Sequence, residues 1–277
     1  MPRVMDPAIV HALLNRDRDW AAYAIGDLGP GFAEHCEWLV SDPSAETLLL
    51  LYRGFDPPIL FAMGDPDHVR PLVEEVNTPH VSLHVRPDTR DALSQTYDMS
   101  ETYPMLRMSL RLTDFKPVAH DDVSSIGEND LAAVVALYAD GDQLGEGPTF
   151  FNAAMLRQGT FRGVWEDGTL VAIAGTHVFS SELVVATVGN VYTRCDCRGR
   201  GLAARVTSAV VEGARTRGAT TIVLNVAPAN ERARRAYERL GFEQVPGWAG
   251  EGALFRTGPA LLEVVESSGL EAEAPAA

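Results

Sequence analysis

The segment from Glu182 to Ala227 constrains this chain more than any other. It reads ELVVATVGNVYT, then the loop RCDCRGRG, then LAARVTSAVVEGARTR, and after two residues TTIVLNVA. The two outer runs are apolar and rich in β-branched residues, while Leu202, Val206, Ala209 and Val210 fall on one side of a helix. A strand joined to a second strand through a helix is a crossover, and crossovers join parallel strands. TTIVLNVA is apolar almost throughout, as a strand covered on both faces must be. Gly189-Asn190 interrupts the first run and predicts a bulge. The fold class expected is therefore α/β, a mixed sheet flanked by helices.

The surrounding sequence extends that grammar. ENDLAAVVALYADG predicts a capped helix ending at Gly141, and TFFNAAMLRQG a second ending at Gly159, with the acidic, glycine-rich loop DGDQLGEGP between them. FRGVWED and GTLVAIAGTHVFS form a hairpin turned at Asp167-Gly168. NERARRAYERLG is an amphipathic helix closed by Gly241, with FEQV and GALFRT as the last strands. The first half is also mixed. PAIVHALLNRDRDWAAYAIGDL has helical spacing, EWLVSD, ETLLLLYRGF and PPILFAMGD read as strands, and DPDHVRPLVEEV is a helix capped by Asp65 or Asp67 with Pro71 in its first turn. HVSLHVRPD, TRDALSQTY and YPMLRMSLRL continue as strand, helix and strand. The polar stretch TDFKPVAHDDVSSIGEND places a boundary, giving a domain at 1–116, a second at 117–258 and an acidic tail at 259–277.

The chain carries 23 Lys and Arg against 38 Asp and Glu, a net charge of −15. Such a surface repels nucleic acid and anionic membranes, so neither is an expected partner. No run approaches the length of a membrane span and the N-terminal stretch lacks a signal-peptide core, which points to the cytoplasm. The three cysteines, Cys36, Cys195 and Cys197, form no disulfide framework and no zinc-ligand spacing. His80 and His84 share a side of a predicted strand without a third ligand, so no metal is expected.

Against that acidic background the loop before Leu202 stands out. The first N–H groups of a helix have no partner within it and carry partial positive charge. Gly199 and Gly201 let backbone approach an anion, Arg198 and Arg200 add charge, and Leu202, Ala203 and Ala204 open the helix. The stretch reads as a pyrophosphate cradle. It has no lysine for a Walker loop, and Ala204 breaks the dinucleotide pattern G-x-G-x-x-G.

Two spacings narrow the ligand. Arg198, Gly201 and Ala203 fill the pattern Q/R-x-x-G-x-G/A, preceded by Val191-Tyr192-Thr193 at the strand end. Asn230, Ala233, Tyr237, Gly241 and Phe242 fill N-x-x-A-x-x-x-Y-x-x-x-G-F. Over roughly residues 118–257 the chain resembles the GNAT acyltransferases, which move an acyl group from acyl-coenzyme A to an acceptor, usually an amine. The resemblance implies acetyl-CoA as cosubstrate, bound by Val191, Tyr192, Thr193, the 198–204 loop and Asn230. It implies a small-molecule or peptide amine as acceptor and Tyr237 as the acid that protonates the leaving thiolate. Many relatives have proline where this chain has Cys195. The first half repeats the element order, but its loop FAMGDPDHVRP places aspartates where the second has arginines, so it resembles a degenerate half of a tandem GNAT protein.

The sequence does not assign a general base. Glu146 and Asp142 sit in the loop where acceptors are often contacted, and Glu146 is the first choice. Glu182 reads as an exposed turn residue, and His177 as a satisfied histidine at a sheet edge. Two other classes stay open: a non-catalytic acyl-CoA-binding or regulatory module, and a nucleotide-binding protein.

Overall fold

The computed structural model describes residues 6–40, 46–76, 78, 80–94, 98–142, 147–148, 150–245 and 250–256. The expected acidic tail and Glu146 lie outside the described residues. The first half forms α1 (Pro7–Leu14), α2 (Ala22–Gly26), β1 (Cys36–Val40), β2 (Leu48–Tyr52), β3 (Ile59–Met63), α3 (Pro66–Glu75), β4 (Ser82–His84), α4 (Pro87–Leu93) and β5 (Asp98–Leu110). The second forms β6 (Val123–Ser125), α5 (Leu131–Asp142), α6 (Ala154–Gln158), β7 (Arg162–Glu166), β8 (Thr169–Ser180) and β9 (Val185–Thr193). It continues with α7 (Leu202–Thr216), β10 (Thr221–Val226), α8 (Glu231–Leu240), β11 (Glu243–Gln244) and β12 (Gly250–Arg256).

Local chemistry explains these boundaries. Asp167 and Gly168 take φ of 47° and 75°, the left-handed pair that lets a two-residue turn follow the strand twist. The Asp65 carboxylate accepts from the Asp67 amide at 2.9 Å and caps α3, which begins at Pro66. Pro71 therefore stands inside α3 rather than in its first turn, where it has no N–H to give the helix. The opening helical stretch is broken: after α1 a short turn brings Trp20 inward, fully buried with its ring 5.3 Å from Phe61, before α2 starts.

The strands join one twelve-stranded sheet in the order β1-β2-β3-β4-β12-β5-β10-β9-β8-β7-β6, with β11 also on β5. Each half repeats one pairing succession. β1, β2 and β3 are antiparallel, β3 is parallel to β4, and β4 is antiparallel to β12. Likewise β7, β8 and β9 are antiparallel, β9 is parallel to β10, and β10 is antiparallel to β5. The halves thus exchange strands: β5, from before Lys116, completes the second half's sheet, and β12, from the chain's end, lies between β4 and β5.

Period-two alternation divides the buried residues between the two faces. On one, Ala186, Val188, Ile222 and Leu224 pack with Val206 and Val210 of α7 and Leu240 of α8. On the other, Val185 and Val223 join Val10, Leu14 and Ile25 of α1 and α2 together with Leu48 and Leu50 of β2. The first two helices therefore bridge the sheet of both halves. α5 and α6 pack beside them through Val134, Leu137, Met155 and Leu156 against Ile173 and Tyr192.

Arg107 of β5 fastens this junction. It is 3% exposed, and its guanidinium donates to Asn225 Oδ1 at 2.5 Å and to the carbonyls of Asp19 and Trp20 at 2.9 and 2.7 Å. Its charge also lies over the Tyr23 ring at 4.8 Å. Arg107→Ala strands buried acceptors and is expected to cost about 3 kcal/mol, read as a lower urea midpoint of the full chain. An unchanged midpoint would show that the bridge contributes nothing to stability.

Candidate functional site

The site begins where two parallel strands part. β9 and β10 pair from Val185–Thr221 to Val188–Leu224, and no pair follows. The cause lies on the other edge of β9. Ile173 faces Tyr192 and Gly175 faces Gly189, so Asn190 and Val191 together oppose Ala174. This is the bulge expected at Gly189-Asn190, and Asn190 adopts φ of 54°, a conformation asparagine tolerates better than most residues. Tyr138 of α5 donates its hydroxyl to the bulged Asn190 carbonyl at 2.9 Å. Two side-chain oxygens on this stretch, Asn190 Oδ1 and Thr193 Oγ1, are buried without a hydrogen-bond partner among the described residues. Val191 is half-buried between them, and Tyr192 is buried.

Beyond Thr193 the chain turns through Cys195–Cys197 and reaches α7. Gly199 and Gly201 take φ of 81° and 77°, and nothing lies within 4 Å of where a Cβ would stand on either. Among the described residues no side chain caps α7, and Leu202 is buried and Ala203 and Ala204 half-buried at its start. The arginines are engaged. Arg198 donates to the Thr193 carbonyl at 3.1 Å and to the Tyr192 hydroxyl at 3.3 Å. Arg200 forms a two-pronged pair with Glu166 of the β7–β8 hairpin at 3.0 and 2.5 Å, and Arg205 pairs with Asp122. Arg200 is thus balanced by a carboxylate distant in sequence, and Arg194 by Asp196 within the loop itself. Glu166 is held below its ordinary pKa, first by that hydrogen bond.

Asp140 is a second residue that sequence spacing does not reveal. It accepts from the Tyr192 hydroxyl at 2.8 Å and from the Cys195 amide at 3.2 Å, and the Tyr192 bond chiefly lowers its pKa. A proline at 195 would have no N–H for this contact, so the chain fastens its turn through Asp140 instead of through a rigid ring.

Tyr237 of α8 is 6% exposed and edge-on to Phe242 at 6.1 Å. Burial, and after it the Tyr23 phenol, push its pKa above the ordinary phenol range. Asn230 caps α8 by accepting from the Ala233 amide at 3.1 Å. His177 is not at an edge: β8 lies between β7 and β9. Glu182 is exposed in the β8–β9 turn. His84 is on β4, half-buried, with desolvation and then Arg107 lowering its pKa to about 4, and His80 precedes the strand. Among the described residues no three His, Cys, Asp or Glu side chains gather as metal ligands. No described helix is long and apolar enough to cross a membrane.

Comparison with known proteins sharpens this geometry. Residues 129–242 match the family model of the acetyltransferase (GNAT) family. No curated protein matches the chain. Among solved structures, a protein from Novosphingobium aromaticivorans assigned to the GNAT acetyltransferases is 26% identical, with 72% of this chain and 84% of that one covered and a TM-score of 0.54. A GCN5-related N-acetyltransferase from Kribbella flavida is 19% identical over 89% of this chain and 97% of that one, TM-score 0.57. A tandem GNAT protein from the clavulanic acid biosynthesis pathway is 13% identical over 93% and 98%, TM-score 0.55. The last two bear on the fold alone. The segment that matches the acetyltransferase (GNAT) family model spans α5 to α8, carried on a mixed sheet flanked by helices.

Proposed function

We propose that the protein transfers an acetyl group from acetyl-CoA to an amine, a small molecule or a peptide, by direct attack within a ternary complex in the cytoplasm. The observation that carries this reading is the parting of β9 from β10 immediately before the uncapped start of α7. The residues fit the cosubstrate. Asn190 and Thr193 stand on β9 past its last pair with β10, and the backbone of Val191, Tyr192 and Thr193 is free of β10 to meet the pantetheine amides. The amides of Gly199 to Ala204 take the pyrophosphate, with Arg198 and Arg200 beside it. Asn230, which caps α8, is assigned to the pantetheine region.

Tyr237 supplies the proton for the departing sulfur. Its raised pKa keeps the phenol protonated through the neutral range, and the thiolate it serves belongs to a thiol near ~8.5. Glu146 is assigned to acceptor contact. In the first half the equivalent helix α3 already has its N-terminus filled by Asp65, so acetyl-CoA is assigned to residues 117–258 and the domain at 1–116 to a degenerate GNAT-like half. Because β5 pairs with β10, tests belong on the full chain.

Gly201→Glu places a carboxylate where the pyrophosphate binds, with open space around it. Calorimetry is expected to find acetyl-CoA binding lost in a protein of native circular dichroism; retained affinity would move the cradle elsewhere. Tyr237→Phe keeps the ring and removes the proton. Turnover with acetyl-CoA and a panel of amines is expected to fall ~10²-fold in kcat with acetyl-CoA affinity unchanged. An unaltered kcat would make the tyrosine structural. A wild-type protein that binds acetyl-CoA and acetylates no amine would favour a binding module.

A further inference from the structure

His177 is the one residue between Leu170 and Val178 of β8 that is not buried. Its ring lies against the backbone of Gly189, where a Cβ would meet Cε1, Nε2 and Nδ1 at 2.3, 2.4 and 2.7 Å. Glycine at 189 thus makes room for an imidazole at the start of the bulge, one residue after β9 leaves β10. Tyr23 of α2 brings its hydroxyl to 3.3 Å from Nδ1, and its own ring is held beneath Arg107. The neighbouring Asn190 is 4% exposed, its amide nitrogen on Met155 Sδ and its side chain also in hydrogen-bond contact with the His177 ring. The imidazole and the Asn190 side chain therefore meet beside the stretch of β9 that follows its parting from β10.

We propose that His177 is a catalytic residue of the acyl transfer, taking the amine's proton at Nε2, and that Tyr23 of the first half is its positioning residue through Nδ1. The inference rests on the acyl-transfer reading. With Nδ1–H donating to the Tyr23 oxygen, Nε2 keeps a lone pair, and Thr187 serves as the other partner of the Tyr23 phenol. Burial lowers the His177 pKa to about 4, opposed by Asn190, so the ring is neutral at pH 7 and receives a neutral amine. One amine hydrogen meets Nε2, which leaves the nitrogen lone pair for the thioester carbonyl. As the N–C bond forms the nitrogen becomes acidic. Its proton passes to Nε2, the C–S bond breaks, and the sulfur leaves with the proton of Tyr237. His177 gives its proton to water and the Tyr237 phenolate takes one back, so amine and thioester become amide and thiol.

The test uses the full chain, acetyl-CoA, and methylamine and benzylamine as probe acceptors, with acetyl-CoA affinity measured separately by calorimetry. His177→Gln and His177→Ala are expected to lose ~10²-fold in kcat with acetyl-CoA affinity unchanged, and added imidazole to restore much of the His177→Ala rate. Tyr23→Phe is expected to cost about 10-fold in the wild-type background and nothing in the His177→Ala background, since a positioning residue acts only through its partner. If one His177 variant fails to fold, the other carries the test. Folded variants that bind acetyl-CoA and turn over at the wild-type rate would overturn the inference and leave the acyl-transfer reading standing. A wild-type protein that binds acetyl-CoA and acetylates neither probe would overturn both.

Discussion

Parallel pairing between β9 and β10 stops after Val188 and Leu224, and the arrangement around the site follows from that stop. Backbone that leaves a ladder must find other partners or pay a desolvation cost. On β9 the bulged Asn190 carbonyl is taken by Tyr138. On β10 the Asn225 side chain is taken by Arg107. Asn190 Oδ1 and Thr193 Oγ1 are left over. Leaving a buried acceptor unmet costs roughly 1–3 kcal/mol, a penalty that the amide groups of the proposed cosubstrate would relieve. On the proposed reading the parted strands, the uncapped α7 and Tyr237 on α8 serve one extended cosubstrate.

The first half does more than accompany this site. Its α1 and α2 lie on the face of β9 and β10 opposite α7, and its β5 closes the sheet beyond β10. Arg107 ties these together by holding the carbonyls of Asp19 and Trp20 while stacking on Tyr23. The repeated pairing succession supports duplication of one unit. The halves differ at the loop before α3, where Asp65 occupies its helix start while that of α7 has no side-chain cap.

Local chemistry made much of this legible in the sequence. The Asp167-Gly168 turn, the bulge at Asn190, the left-handed glycines before α7 and the Asn230 cap each follow from a few adjacent residues. Long-range partners were not legible. Nothing near Arg200 in the chain announces Glu166, nothing near Cys195 announces Asp140, and nothing near His177 announces Tyr23. Charge counted along the loop therefore overstated its net positive character. Alternation also marked His177 only as a strand residue, and it could not show that β8 is interior or that Gly189 makes room for the ring.

Hydrogen exchange on the full chain with and without acetyl-CoA tests the central claim most directly, that the parted strands and the α7 start form one cosubstrate site. The account predicts slowed exchange of the amides of Gly189 to Thr193 and of Gly199 to Ala204, with the amides of Gly64 to Val69 in the first half unaffected. Protection at the α3 start instead, or binding that leaves both second-half stretches unprotected, would contradict it.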